Sequence, residues 1–210
     1  MKVLNAGSIE LLDHMGTDDS IVKAARQCYG SSGNELADER LLESVVKHRH
    51  TSCLEHTALT FKVKAPIFVA RQWMRHRVGC SYNEKSLRYT EATPEFYMPS
   101  DEQFENSPLS YKHKPLKEWW LRTIEEQYDE YLMWIDYLPK EQARAVLPLG
   151  IYTEFIFSCN MASLLHFLEL RLAKSAQVEI RVYAQAILEL IQEVFPKTTN
   201  IIRKEFGGNQ

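Results

Sequence analysis

Between Arg71 and Tyr89 the chain reads Arg71-Gln-Trp-Met-Arg75-His76-Arg77-Val-Gly-Cys80-Ser81-Tyr-Asn83-Glu84-Lys-Ser86-Leu87-Arg88-Tyr89. Four guanidinium groups and an imidazole stand among hydroxyl, amide and carboxylate side chains. A planar guanidinium offers donors matched to two oxygens at once, which suits phosphates and carboxylates. The whole chain carries a formal net charge of -3, so this local cationic excess runs against the global balance. The segment reads as a grip for an anionic small molecule. An arginine network tying neighbouring helices together would use the same residue types. That reading is weakened by Ser81, Asn83, Glu84 and Ser86, because such a loop satisfies few of its own polar groups. Each charge-assisted bond to a ligand would contribute roughly 1.5–3 kcal/mol net.

Two further clusters bear chemistry. His48-Arg-His50, Ser52 and Glu55-His56 contain sound metal ligands. His48 and His50 are i,i+2 and do not share a helix face. Stacking or hydrogen bonding to a ligand is the better reading, with a structural histidine as the alternative. Arg144, Asn160, His166, Arg171 and Gln177 form the third set. Arg171 follows the apolar run Leu164-Leu-His-Phe-Leu-Glu-Leu170, and a guanidinium in that position needs a fixed partner. Glu169 and Glu179 are the nearest candidates in sequence. Cys80 stands close to cationic side chains that would lower its pKa, although a small packing residue explains it as well.

Composition bounds the rest. The 210 residues fit one large domain spanning 1–210, or two small ones sharing a core. Hydrophobic residues make up 45% and charged residues 25%, ordinary for a globular chain with a sizeable core. Mild acidity argues against nucleic-acid or membrane-surface binding, which needs a basic face. Cys28, Cys53, Cys80 and Cys159 form no C-x-x-C pair, so reduced thiols in the cytoplasm are expected. No signal peptide and no apolar stretch long enough to span a bilayer is found.

These side chains must be held by elements. Residues 1–12 suggest a strand or hairpin. Thr17, Asp18 and Asp19 can cap a helix through Cys28, ended by Gly30. A loop over 31–34 and a helix over 36–48 follow. Leu59, Phe61 and Val63 alternate with Thr60, Lys62 and Lys64, predicting a strand with one buried face. Pro66 opens a helix whose apolar stripe is Ile67, Ala70 and Met74 and which ends near Arg77. Residues 81–90 read as an ordered loop, 95–98 as a short strand and 99–115 as a surface excursion. Helices are predicted over 116–138, around Arg144, over 160–170 and over 175–195, where Pro196 stops the chain's last long helix. A strand is predicted over 151–159. Helices dominate and the strands are few and antiparallel, so the class is α+β. No G-x-G-x-x-G follows a strand, which speaks against a dinucleotide fold of Rossmann type.

Arg75-His-Arg77, followed by Ser81-Tyr-Asn-Glu84 and Ser86-Leu-Arg88-Tyr89, resembles the signature of flavin-dependent thymidylate synthases. The resemblance extends to His50, Glu55-His56, Lys64 through Trp73, Ala143-Arg144, Leu147-Pro148, Asn160 through Arg171, and Ala176-Gln177. It implies an antiparallel sheet flanked by helices and a homotetramer with active sites at subunit interfaces. It also implies FAD, with dUMP converted to dTMP by methylenetetrahydrofolate as one-carbon donor and NADPH as reductant. By position, Ser52, Arg75, His76, Arg77, Glu84, Asn160 and His166 would hold FAD, with His50 beside the flavin ring. Gln72, Arg75, Glu84, Ser86, Leu87, Arg88, Arg144 and Arg171 would hold dUMP, Arg171 as the catalytic group that activates the ring. Ala162 replaces an arginine found in some relatives. No metal is implied. A non-catalytic nucleotide-binding protein of the same fold, and a folate enzyme using Cys80 covalently, are the rival readings.

Overall fold

The computed structural model describes residues 1–28, 30, 33–108 and 114–206. Ser31 and Ser32 of the expected 31–34 loop, and 109–113 of the 99–115 excursion, lie outside the described residues. The centre is an antiparallel sheet of β1 (Lys2–Val3), β2 (Gly7–Met15), β3 (Ala58–Pro66), β4 (Cys80–Glu84) and β5 (Tyr152–Cys159), in the order β1-β2-β3-β5-β4. The expected N-terminal hairpin is β1 with β2.

The strand pattern explains the layering. Leu59, Phe61 and Val63 of β3 and Phe155 and Phe157 of β5 are buried on one face. On the other face Thr60 bonds Ser158 at 3.0 Å and Lys62 pairs with Glu154 at 3.3 Å. Such cross-strand pairs match the two-residue period of a pleated sheet. The buried face is covered by α4 (Ile67–Trp73), α8 (Met161–Leu172) and α9 (Val178–Ile191). Fully buried Trp73 meets Phe155 and Phe157 edge-on at 5.5 and 5.6 Å. Beside them sit α1 (Asp18–Gln27), α2 (Glu35–Lys47), α3 (Thr51–Leu54) and α10 (Pro196–Phe206). Local chemistry starts the helices: Asn34 accepts from the Ala37 amide and Asn160 from the Ser163 amide, both at 2.9 Å.

A second apolar cluster of Ala92, Tyr131, Ala143 and Ile151 joins α6 (Leu116–Ile135) and α7 (Lys140–Ala143) to the segment after β4. The Tyr128 hydroxyl donates to the Ala92 carbonyl at 2.8 Å, and the Tyr131 hydroxyl accepts from the Ala92 amide at 3.2 Å. Leu87 and Leu147 pack against this cluster.

Several elements differ from expectation. Residues 80–84 form edge strand β4 rather than a loop, paired with β5 from Cys80↔Cys159 to Glu84↔Phe155. Helix α4 ends at Trp73, so Arg75, His76 and Arg77 lie beyond it. Its buried residues are Val69, Ala70 and Trp73 instead of the stripe Ile67, Ala70 and Met74. The 95–98 strand reduces to one bridge, Phe96↔Ile151. The long helix over 175–195 runs only from Val178 to Ile191, and Pro196 opens another helix after it. Helix α3 and the short α5 (Asp101–Glu105) were not expected.

Candidate active site

The turn between α4 and β4 places His76 against α8. The Arg171 Nε donates to His76 Nε2 at 3.0 Å, which requires an unprotonated ring nitrogen. The imidazole meets Phe167 at 4.9 Å and His166 at 5.7 Å, both edge-on. Burial, then the positive Arg171, then His166, push its pKa down to about 4. Burial lowers that of Arg171 as well, but a guanidinium stays charged. Beyond His76, Gly79 has φ +63, and a Cβ there would run into the Ser163 hydroxyl. That hydroxyl donates to the Val78 carbonyl at 2.8 Å. The turn therefore rests on the first turn of α8, which Asn160 caps.

Neither carboxylate expected beside Arg171 is available to it. Glu169 pairs with Arg49 at 2.5 Å, and Arg49 adopts a left-handed φ of 53°. Glu179 accepts from the Tyr97 hydroxyl and from Gln103 at 3.2 Å, with further support from Gln177 at the start of α9. The fixed partner of Arg171 is His76.

A second constellation surrounds a cavity of about 610 Å³. Glu84, Ser86, Leu87 and Arg144 all line it, together with Arg71, Lys85 and Glu141. Thr153 donates to Glu84 at 2.7 Å. Arg144 Nε donates to the Glu141 carbonyl at 3.2 Å. Arg88 is not in the lining itself but binds the carboxylate of Glu141, which is, at 3.1 Å. Arg71 belongs to the cationic segment read as an anion grip, although the family resemblance assigns neither it nor Lys85 to a ligand. The signal was present: Ile67, Ala70, Arg71 and Met74 form one helical face, and all of them line this cavity.

Ser52 lines a separate hollow of about 590 Å³ with His56, Lys23 and Gln27. His50 stands just before α3, its ring 6.2 Å from that of His48. Gln72, Arg75 and Arg171 do not line the Glu84 cavity, so the residues expected around one nucleotide are divided within the chain.

The electrostatics favour anions. Among the described residues Arg71, Arg75, Arg77, Arg144 and Arg171 have no salt-bridge partner. Gln72 Oε1 is buried and, among the described residues, without a hydrogen-bond partner. Arg75 and Arg77 are exposed and carry free guanidinium donors, which suit a diphosphate such as that of FAD. The Cys80 thiol is half-buried and burial pushes its pKa up, opposite to the lowering expected from its cationic neighbours. Among the described residues no group of three or more His, Cys, Asp or Glu is placed to hold a metal ion. No helix there is long and apolar enough to cross a membrane.

The antiparallel sheet flanked by helices sets the class as α+β, and comparison with known proteins supplies the family. A family model described as thymidylate synthase complementing protein matches residues 10–197. The flavin-dependent thymidylate synthase of Pseudothermotoga lettingae is 41% identical over 100% of this chain and 96% of its own length. That of Thermotoga neapolitana is 43% identical over 93% and 90%. A solved UMP/dUMP methylase, PolB from Streptomyces cacaoi bound with 5-Br dUMP, superposes with a TM-score of 0.84 at 29% identity, over 99% of this chain and 98% of that one. The chain belongs to the flavin-dependent thymidylate synthase family and is a methyltransferase of that family.

Proposed function

We propose that this protein methylates dUMP to dTMP, with methylenetetrahydrofolate as one-carbon donor, FAD as the flavin and NADPH as its reductant. The observation that carries the reading is the gathering of Glu84, Ser86, Leu87 and Arg144 around one cavity, with Arg88 bonded to Glu141 of its lining. It suits a nucleoside monophosphate: Arg88, Arg144 and Ser86 take the 5′-phosphate and Glu84 accepts from a hydroxyl or ring N–H. Arg75, His76, Arg77, Asn160, His166, Ser52 and His50 are assigned to FAD, which when bound and reduced supplies hydride.

The protein's own part is polarisation. Uracil C5 is a weak nucleophile. Arg171 at the pyrimidine edge stabilises negative charge at N3 and O4 and so enriches C5, with no cysteine adduct. The protonated, half-buried Cys80 thiol supports that route over the covalent one. The division of the nucleotide residues supports a site completed by a second copy, with Arg171 supplied across an interface. Exposed Trp119, Trp120, Met133, Trp134 and Tyr137 on and just after α6 supply apolar surface for a homotetramer.

The test is the absorbance spectrum of the purified protein. Oxidised flavin bands that bleach with NADPH and return in air, together with dTMP formed from dUMP and methylenetetrahydrofolate, are expected. A colourless protein that cannot be reconstituted with FAD would refute the reading.

A further inference from the structure

Arginines that bind ligands are often aimed by a carboxylate. Arg171 is aimed instead by an imidazole, through a 3.0 Å bond from its Nε. We propose that His76 is the positioning residue for Arg171: its neutral ring takes the Nε–H and so turns both terminal amino groups toward the pyrimidine.

The geometry supports this at each step. A guanidinium is planar, so fixing Nε against a rigid acceptor fixes the plane and leaves the terminal donors free. The acceptor is rigid. The His76 amide donates to the Trp73 carbonyl at 3.0 Å, and the His76 carbonyl accepts from the Tyr82 hydroxyl at 2.7 Å. Its ring is wedged against Phe167, which is fully buried. The choice of a neutral acceptor has an electrostatic reason. A carboxylate at that place would cancel part of the positive charge that must meet negative charge developing on the pyrimidine. The two carboxylates near Arg171 in sequence are engaged elsewhere, Glu169 with Arg49 and Glu179 with Tyr97 and Gln103. Burial and the charge of Arg171 keep the imidazole unprotonated at neutral pH, and His166 is the other titratable ring that faces it.

This inference rests on the role assigned to Arg171 under the proposed function, and the experiment separates the two. In FAD-saturated protein, dUMP affinity is read from the flavin absorbance change, and C5 chemistry from tritium release out of [5-³H]dUMP. Four variants are compared: His76→Leu, His76→Gln, Arg171→Ala, and His76→Leu combined with Arg171→Ala. His76→Leu is expected to weaken dUMP binding and slow tritium release by about tenfold or more. His76→Gln, whose carbonyl oxygen reaches the Nε2 position, is expected to recover most of both. In the Arg171→Ala background His76→Leu is expected to change dUMP affinity by less than about twofold. Equal losses in both backgrounds, or a Gln variant no better than Leu, would overturn the proposal. If His76→Leu does not fold or retain FAD, His76→Gln is set against His76→Asn, whose carbonyl stops short of Nε2. Gln well above Asn is then expected, and equality or reversal overturns it. Failure of the Arg171 role itself shows separately, as turnover retained by Arg171→Ala alone.

Discussion

The Arg88 guanidinium and the Glu141 carboxylate stand 3.1 Å apart at the rim of the cavity that Ser86 and Arg144 also border. Both side chains are about half exposed, so the pair contributes only about 0.2–1 kcal/mol. A phosphate arriving at Arg88 must displace that carboxylate. Glu141→Gln is therefore expected to tighten dUMP binding by roughly two- to fivefold, measured by titrating the flavin spectrum. Weaker binding would instead make Glu141 an acceptor for the nucleotide.

Arg171→Ala removes the charge assigned to the pyrimidine edge. Loss of a preformed donor at a developing anion costs about 10²–10³ in kcat or more. Single-turnover dTMP formation is expected to fall at least that far while the flavin absorbance per protomer stays the same. Near wild-type turnover would remove Arg171 from the chemistry.

Cys80→Ser is expected to remain active. Burial favours the protonated thiol at neutral pH, where it is neither a nucleophile nor a strong donor. Alkylation of Cys80 by iodoacetamide should accordingly lag behind that of exposed Cys28. A folded but inactive serine variant would restore the covalent mechanism.

Stability should depend on pH through His76. Its pKa is about 4 in the folded protein against an ordinary 6.5. Between these values the unfolded chain binds a proton that the folded protein does not. Its stabilising contribution is complete above pH 6.5 and is lost as pH falls toward 4, a span worth about 3 kcal/mol. Urea denaturation across this window should show a steeper decline for the wild type than for His76→Gln.

Gly79→Ala should loosen the turn that carries His76. An L-residue at φ +63 costs about 1–2 kcal/mol, and its Cβ would displace the Ser163 hydroxyl from the Val78 carbonyl. A lower thermal midpoint and weaker FAD retention are expected, read by melting with and without added FAD.

The sequence carried the alternation of β3, the aromatic run of β5 and the cationic signature, because each is a local pattern. Strand β4 was illegible for a physical reason. Only Tyr82 in Cys80–Glu84 is a strong strand former, and it becomes one by stacking on Phe157 at 5.3 Å across the β5 pairing. The family resemblance named Glu84, Ser86, Leu87 and Arg144, and the fold gathers them around one cavity. It could not show that His76 meets Arg171, since the two stand 95 positions apart and are brought together by the packing of α8 on the sheet. Pro196 was read as a stop when it is also a start. The start of the helix it opens is satisfied from far away in sequence: the Lys197 and Thr198 amides donate to Asp18 at 2.7 and 3.1 Å, and the Thr198 hydroxyl at 2.6 Å.

That last contact sets an order of events for the newborn chain. Asp18 is 6% exposed, and its carboxylate is matched by donors 179 and 180 residues downstream. Until α10 has left the ribosome, Asp18 lacks the donors that match it, so the packing around the start of α1 stays incomplete. The N-terminal helix is made early and seated late, and a chain cut short before Pro196 would be left visibly unfinished to the cell's proteases.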